Sequence, residues 1–498
     1  MMKKLSLLSF TMCIIGLCTS CRQANTLDKQ AAALSDGLEN SLVYINVSVS
    51  HYDGFQPWKL SPAADTFCFG TAVGPYEILT IAEPLADASV IQVNVSGKNE
   101  FVPAKIKTID YNLNLCLLEI AHDAVDHPLQ PINFTADFKK GMELVGNWLS
   151  TDGTAKTSRG YLDRASILSC PTSYQRTLAF VASNTSRQTS RGELYTHNGK
   201  AIGIAYTSTD KDVVLIPSET ILRFLNQTNK TGYIGFGTPG YEADNLLDPS
   251  VRKYLKMNED MKDGNYVSYV YSHGTGSEIL KIGDVVLAID EHPLNAYGRY
   301  KHPLYEETSY EHLIQKHAVG EPVKFTVWRE GKEIELQTTA GCFDSSQMLV
   351  PCQEYDRQPE YMVTGGYVFQ KLTRDYLQLW GDNWPGKAPP HLYHYYRDLS
   401  MKPTDKRKDI VILSFVLPAP INLGYQNLGR AVVKTVNGVE INKMSDLITA
   451  FNTDNGSPFH VIEFEMENPT LVIPKTNLQQ IDQTIFQLYG IQKPINIY

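Results

Sequence analysis

Basic excess is missing from this 498-residue chain, in which 45 Lys and Arg stand against 54 Asp and Glu for a formal net charge of -9. A nucleic-acid binder needs a basic face, and the one concentrated stretch, Lys402–Lys408, reads as a solvated loop. No nucleic-acid partner is expected. Long apolar runs are missing too. None reaches the roughly 20 residues of a spanning helix, which excludes an integral membrane protein of that kind. Cysteine is sparse, with 8 residues in the chain. Beyond Cys21 there remain Cys68, Cys116, Cys170, Cys342 and Cys352, too few for a disulfide scaffold. Cys342 and Cys352 bracket a short loop, and an oxidising compartment would permit their pairing. Cys116 lies in the apolar run Leu113–Leu118 and reads as core. The 12 histidines show no H-E-x-x-H pattern and no cysteine pair has zinc-finger spacing, so neither a metal nor a cofactor is expected.

What is present is enough to build large cores. Hydrophobic residues make up 43% and charged residues 20%, and the length suggests about three domains. Lys3 and Lys4 precede a mostly apolar run, Leu5–Leu17, followed by Cys18-Thr19-Ser20-Cys21. A positive start, a short apolar segment and small residues before a cut describe a secretory leader. Small residues directly before a cysteine resemble the bacterial lipobox, with Cys21 as the acylated residue, although Cys18 stands where leucine is commoner. Residues 1–21 are thus expected to be a lipoprotein leader and 22–37 a polar tether. The expected location is the bacterial envelope, on the periplasmic side and anchored by lipid to the outer membrane. The lipid would be the chain's sole contact with a membrane.

From Leu42 to Thr207 short β runs alternate with polar turns. Leu42–Ser50, Phe67–Val73, Glu77–Ile81, Val90–Val95, Val102–Ile109 and Asn114–Ile120 form one group. Glu143–Trp148, Gly160–Leu168, Leu178–Ala182, Ala201–Tyr206 and Val213–Ile216 form a second. Many short, regularly spaced strands argue for barrels or sandwiches. A closing helix is expected over Pro217–Asn226, with Ile221, Leu222 and Leu225 at helical spacing. A strand–turn–helix–strand pattern then occurs twice. It runs from Gly283–Asp290 through a helix at Tyr310–His317 to Val323–Trp328, and again from Val432–Gly438 through Met444–Asn452 to Val461–Met466. Two copies of one small α/β module follow. Arg374–Lys408, rich in Tyr, Trp and Pro, reads as an insertion in the second copy.

This order, over about residues 40–498, resembles the HtrA/Deg family of trypsin-like serine proteases with PDZ domains. The last third, with Gly365-Gly366-Tyr367-Val368-Phe369 and Ile412–Asn427, is most similar to the plant organellar Deg branch. The resemblance implies a mainly β fold. A trypsin-like double β-barrel over 38–228 would be followed by a PDZ domain over 229–341 and a second PDZ-like domain over 342–498.

Carried over residue by residue, the triad is incomplete. The family's histidine follows a strand that here reads Ile78-Leu79-Thr80-Ile81-Ala82-Glu83, so Glu83 takes its place. Asn114 takes the aspartate's place before Leu115-Cys116-Leu117-Leu118. The nucleophile turn, Gly-Asn-Ser-Gly-Gly in the family, reads Gln188-Thr189-Ser190-Arg191-Gly192. Ser190 is retained, while Gln188 and Arg191 replace two glycines. A serine hydroxyl needs a neighbouring base, and imidazole suits it with a pKa near 6.5. A carboxylate near 4.3 is far poorer unless strongly desolvated. In a trypsin-type triad the Asp-to-Asn change alone costs about 10⁴ in rate. His51, His122, His127 and His197 stand in the wrong context to rescue it.

The entry to the first module, Gly232-Tyr233-Ile234-Gly235-Phe236-Gly237, resembles the PDZ carboxylate-binding loop. The resemblance makes Tyr233, Ile234, Gly235 and Phe236 the expected peptide-binding residues, with polypeptides or protein C-termini as partners. Tyr241–Asp263 is an insertion placed to cover that groove. The reading that follows is a pseudoprotease of the envelope that binds polypeptides, or scaffolds a complex, in protein quality control and forms a homo-oligomer. Its rivals are an active serine endopeptidase with a divergent base and a purely structural oligomer scaffold.

Overall fold

The computed structural model of the chain describes residues 38–95, 100–183, 190–230, 232–343, 345–466 and 469–498. Cys21, with the leader and tether expected over 1–37, lies outside them, as does Gln188. The architecture is mainly β, two barrels followed by two sheet-and-helix modules.

The first barrel closes β1 (Leu42–Val49), β2 (Ala64–Gly74), β3 (Glu77–Ile81), β4 (Ala88–Val95), β5 (Phe101–Asp110) and β6 (Leu115–Ile120) in the order β1-β2-β3-β6-β5-β4. Side chains alternate across each strand. Val43, Ile45, Ile78, Cys116 and Leu118 fill the barrel interior, whereas Tyr44, Leu79, Leu115 and Leu117 face the second barrel. Strands buried on both faces explain why Leu113–Leu118 is almost continuously apolar. Cys116 is core, as expected.

The second barrel comprises β7 (Glu143–Leu149), β8 (Ala155–Ser169), β9 (Arg176–Ser183), β10 (Leu194–His197), β11 (Lys200–Ser208) and β12 (Asp212–Pro217), ordered β10-β11-β12-β9-β8-β7. Strand β10 has four residues and was not expected. It turns into β11 through Asn198 and Gly199, both at positive φ (49° and 75°), the two-residue hairpin that suits twisted strands. Helix α1 (Ser218–Thr228) buries Ile221 and Phe224 in the cluster that joins the barrels.

The first module contains β13 (Tyr241–Asn245), α2 (Pro249–Tyr254), β14 (Asn265–Val270), β15 (Val285–Ile289), β16 (His292–Pro293), β17 (Arg299–His302), β18 (Glu306–Ser309), α3 (Glu311–Gln315), β19 (Pro322–Arg329) and β20 (Lys332–Thr339). Its main sheet runs β13-β14-β15-β19-β20. The insertion over Tyr241–Asp263 supplies the edge strand β13 itself. Its helix α2 is followed by Leu255 and Met257, which pack with Val285 and Trp328. Val286 points the other way, toward Leu313 and Ile314 of α3, so the insertion covers the sheet face opposite α3.

The second module contains β21 (Tyr361–Thr364), β22 (Tyr367–Lys371), α4 (Arg374–Gln378), α5 (Trp384–Lys387), α6 (Pro390–Leu399), β23 (Val411–Val416), β24 (Ala431–Val436), β25 (Val439–Glu440), α7 (Met444–Asn452), β26 (Phe459–Phe464), β27 (Leu471–Pro474), α8 (Leu478–Tyr489) and β28 (Ile495–Asn496). Its sheet runs β27-β26-β24-β23-β22-β21-β28. Five strands, β22-β23-β24-β26-β27, repeat the order of the first module. The Arg374–Lys408 insertion folds as α4, α5 and α6 between β22 and β23. The loop between β1 and β2 docks here. Phe55 lies 5.6 Å from the Phe415 ring and Trp58 5.9 Å from that of Tyr361, while the Trp58 indole donates to the Tyr489 carbonyl at 3.2 Å. Among the described residues no disulfide links Cys342 to Cys352.

Candidate functional site

Three tight turns meet where the barrels face each other. After β3 the chain makes a 3-10 turn, Glu83–Leu85, with Pro84 second. Between β5 and β6 the Asp110 carboxylate accepts the N–H groups of Asn112 (2.7 Å) and Leu113 (3.0 Å). That curl leaves Asn114 at a φ of 56°, a conformation Asn tolerates better than most residues. Asn114 Oδ1 then accepts the N–H groups of Ala82 at 3.1 Å and Glu83 at 2.9 Å. Asn114 therefore pins the turn that carries Glu83. Its Nδ2, buried, has no partner among the described residues.

Ser190 begins the third turn at a φ of 47° and is 2% exposed, and its Oγ has no hydrogen-bond partner among the described residues. Gly192 follows at a φ of 106°, where an added Cβ would lie 2.2 Å from the Phe69 carbonyl oxygen. Only glycine fits there. The Arg191 guanidinium lies 5.2 Å from the Phe67 ring centroid and donates to Thr66 Oγ1 at 2.9 Å. Arg191 therefore puts a fixed cation in the cleft.

Glu83, Ser190, Arg191, Ile81 and Tyr206 line one cavity of about 450 Å³. Glu83 also borders a second cavity of about 450 Å³, between the first barrel and the second module, with Arg374 and Asp375 across it. Desolvation raises the Glu83 carboxyl above its ordinary range, and the charges of Arg191 and Arg374 draw it part of the way back. Among the described residues no histidine lines the Ser190 cavity. His51 pairs with Asp87 at 2.9 Å, His122 stacks on Tyr76 at 3.9 Å, and His197 contacts the Glu143 carbonyl at 2.7 Å. His127 lines a separate cavity.

One residue of the site escaped the sequence reading. Glu193 is 1% exposed directly after the Ser190 turn, and its Oε2 accepts the Arg191 N–H at 2.6 Å. The backbone N–H groups of Ser190 and Glu193 itself also favour the anion, yet burial outweighs them and pushes the carboxyl up to about 7. The available signal was a carboxylate immediately ahead of the apolar start of β10, Leu194-Tyr195.

A PDZ domain family matches residues 350–496, the second module. A putative mitochondrial Do-like protease 3 of Arabidopsis thaliana is 25% identical over 82% of this chain and 71% of its own length. The mitochondrial protease Do-like 4 of the same plant is 22% identical over 95% of this chain and 88% of its own. Among solved structures, an HtrA-type protease with a decapeptide superposes with a TM-score of 0.50 at 15% identity, covering 63% of this chain and 97% of that one. Over most of its length the chain is similar to Do-like proteases, and its fold is that of an HtrA-type protease.

The Tyr233–Phe236 segment forms the joint between barrel and module. The Tyr233 hydroxyl donates to Asp110, and the Phe236 ring is buried with Phe224 of α1 in the cluster that joins the barrels. Ile234 N–H reaches Gln227 Oε1 at 3.3 Å, and the Gly235 carbonyl accepts from Gln227 Nε2 at 2.8 Å. Ile234 alone of the four is exposed. With Tyr233 and Gly235 it borders a cavity of about 550 Å³ beneath the segment that joins the two modules. A different feature of the module is open. Strand β13 ends its sheet, and a groove of about 430 Å³ runs between Tyr241–Asn245 and the start of α3 at Tyr310 and Glu311. In the second module Gly365-Gly366 forms the hairpin turn between β21 and β22, where Gly365 N–H donates to the Asp482 carboxylate at 2.6 Å.

Proposed function

We propose that this HtrA/Deg-type chain binds polypeptides without hydrolysing them, acting as a pseudoprotease in protein quality control. The observation that carries the reading is the state of Ser190: a hydroxyl 2% exposed, in a cavity lined by Glu83 and Arg191 and by no imidazole. Proton transfer from serine needs a base within hydrogen-bond reach, and Glu83, although raised by burial, makes no hydrogen bond with Ser190 Oγ. Polypeptide capture is assigned to the first module, where the open edge of β13 offers N–H and C=O groups to an added strand. Of the expected residues Tyr233, Ile234, Gly235 and Phe236, Ile234 is the one exposed to a ligand. Lipidation at Cys21, a place in the bacterial envelope and homo-oligomerisation belong to the same proposal. They rest on the leader sequence and on the family resemblance.

The test pairs two assays on the purified chain: cleavage of an unfolded protein, and binding to a library of C-terminal peptides. Binding without cleavage is expected. Cleavage that disappears in Ser190→Ala would establish the active-endopeptidase reading instead. Absence of both would favour the structural scaffold.

A further inference from the structure

We propose that the Ser190–Arg191 turn is a carboxylate-binding nest, occupied here in cis by Glu193. Successive backbone N–H groups that converge on one point make a concave site for an anion. Arg191 N–H donates to Glu193 Oε2 at 2.6 Å, and the N–H groups of Ser190 and Glu193 are turned to the same carboxylate.

The nest is built into the barrel. Ser190 and Gly192 hold φ values of 47° and 106°, and non-glycine residues adopt the left-handed region only when their surroundings enforce it. Phe69 N–H donates to the Arg191 carbonyl, and Gly192 N–H to the Ala205 carbonyl, both at 2.8 Å, so β2 and β11 clamp the turn from two sides. The carboxylate is 1% exposed, which leaves backbone donors rather than water to solvate it. A buried carboxylate without such donors would cost far more.

The consequence concerns the donor set of the cleft. Backbone N–H at the nucleophile position is what stabilises a developing oxyanion in acyl transfer. In this chain that N–H is directed at an internal carboxylate, so the ligand of the nest is a carboxylate and its source is the chain itself. This goes beyond the non-hydrolytic reading and does not rest on it, because its readout is amide protection and not turnover.

The experiment is amide hydrogen exchange on the full mature chain, following Ser190 and Arg191 in Glu193→Ala with sodium acetate or sodium chloride at equal ionic strength. Loss of charge-assisted hydrogen bonds is expected to speed exchange at Arg191 by about ten- to a hundredfold. Acetate should restore protection with a saturable dose dependence, and chloride should not. Unchanged protection in the variant, or equal rescue by chloride, overturns the proposal. Should Glu193→Ala fail to fold, Glu193→Gln retains the volume and one acceptor. It is expected to exchange several-fold faster than the parent above pH 7, since neutral acceptors bind N–H about half as strongly as charged ones. Identical exchange in Glu193→Gln and the parent also overturns it.

Discussion

The two modules share one five-strand order and differ at one edge. In the first, β13 ends the sheet and faces a groove. In the second, the matching strand β22 is covered by β21, and β21 pairs in turn with β28 through Tyr361 opposite Asn496 and Met362 opposite Ile495. An unpaired edge is a ready template for another strand. The same topology is therefore receptive in one copy and sealed in the other. The insertions follow the same division. Tyr241–Asp263 provides the open edge of the first module, whereas α4 and α6 of the second bury Leu377 and Leu392 in a cluster that also takes in Phe55 from the barrel. One module leaves a sheet edge facing a groove, and the other packs against the first barrel.

The comparison breaks most visibly in the cores. Phe325 in the first module and Phe369 in the second are both fully buried, and truncating either to Ala is expected to cost about 3–5 kcal/mol in chemical denaturation. Peptide capture should fail in Phe325→Ala and survive in Phe369→Ala. Capture lost in both, or in the second alone, would move the receptive edge elsewhere.

The buried carboxylate of the Ser190 turn gives the second barrel a pH dependence. Glu193 titrates near 7 in the fold against an ordinary value of 4.5. Between those values the folded chain binds more protons than the unfolded one, so this group's contribution to stability is present at pH 5 and lost as pH rises through 7. The facing groups are Arg191 on the turn, Cys68 on β2 and Tyr195 on β10. Burial holds the thiol and the phenol at about 12, so neither titrates in this window. Glu193→Gln is expected to flatten the profile by up to about 3 kcal/mol, measured as unfolding free energy from pH 5 to 8.

The sealed edge gives a smaller effect. Asn496, nearly fully buried, donates to the carbonyls of Pro359 at 2.9 Å and Gln358 at 3.4 Å. Asn496→Ala is expected to cost about 1–3 kcal/mol and to expose the amides of β21 to hydrogen exchange, with β13 unaffected. The smallest effect is at Ser190. Replacing a buried, unpartnered hydroxyl by Ala should change stability by less than about 1 kcal/mol and leave behaviour toward unfolded substrate unchanged.

Much of this was legible residue by residue. The β3 expectation, Glu77–Ile81, and the α7 expectation, Met444–Asn452, coincide with the observed elements, because each is a short apolar pattern closed by its own turn or cap. Strand β10 was missed because four residues, two of them Thr196 and His197, carry little apolar alternation. The place of Glu83 and Ser190 beside one cavity followed from motif order. The burial of Ser190 and the occupant of its turn did not.

What the amino-acid order alone determined is the chemistry available: Glu83 and no histidine at the end of the β3 run, an Asn at 114, and a duplicated strand–turn–helix–strand unit. Those are properties of residue type and spacing, and they hold in any fold the chain adopts. Which edge stays open, and the burial that holds the Glu193 carboxylate in the Ser190 turn, were decided only by tertiary structure. Both depend on contacts between segments far apart in the chain, β28 against β21 and β2 against the Arg191 carbonyl. No local pattern encodes such a contact, because its free energy arises only when the packed elements exclude water from it.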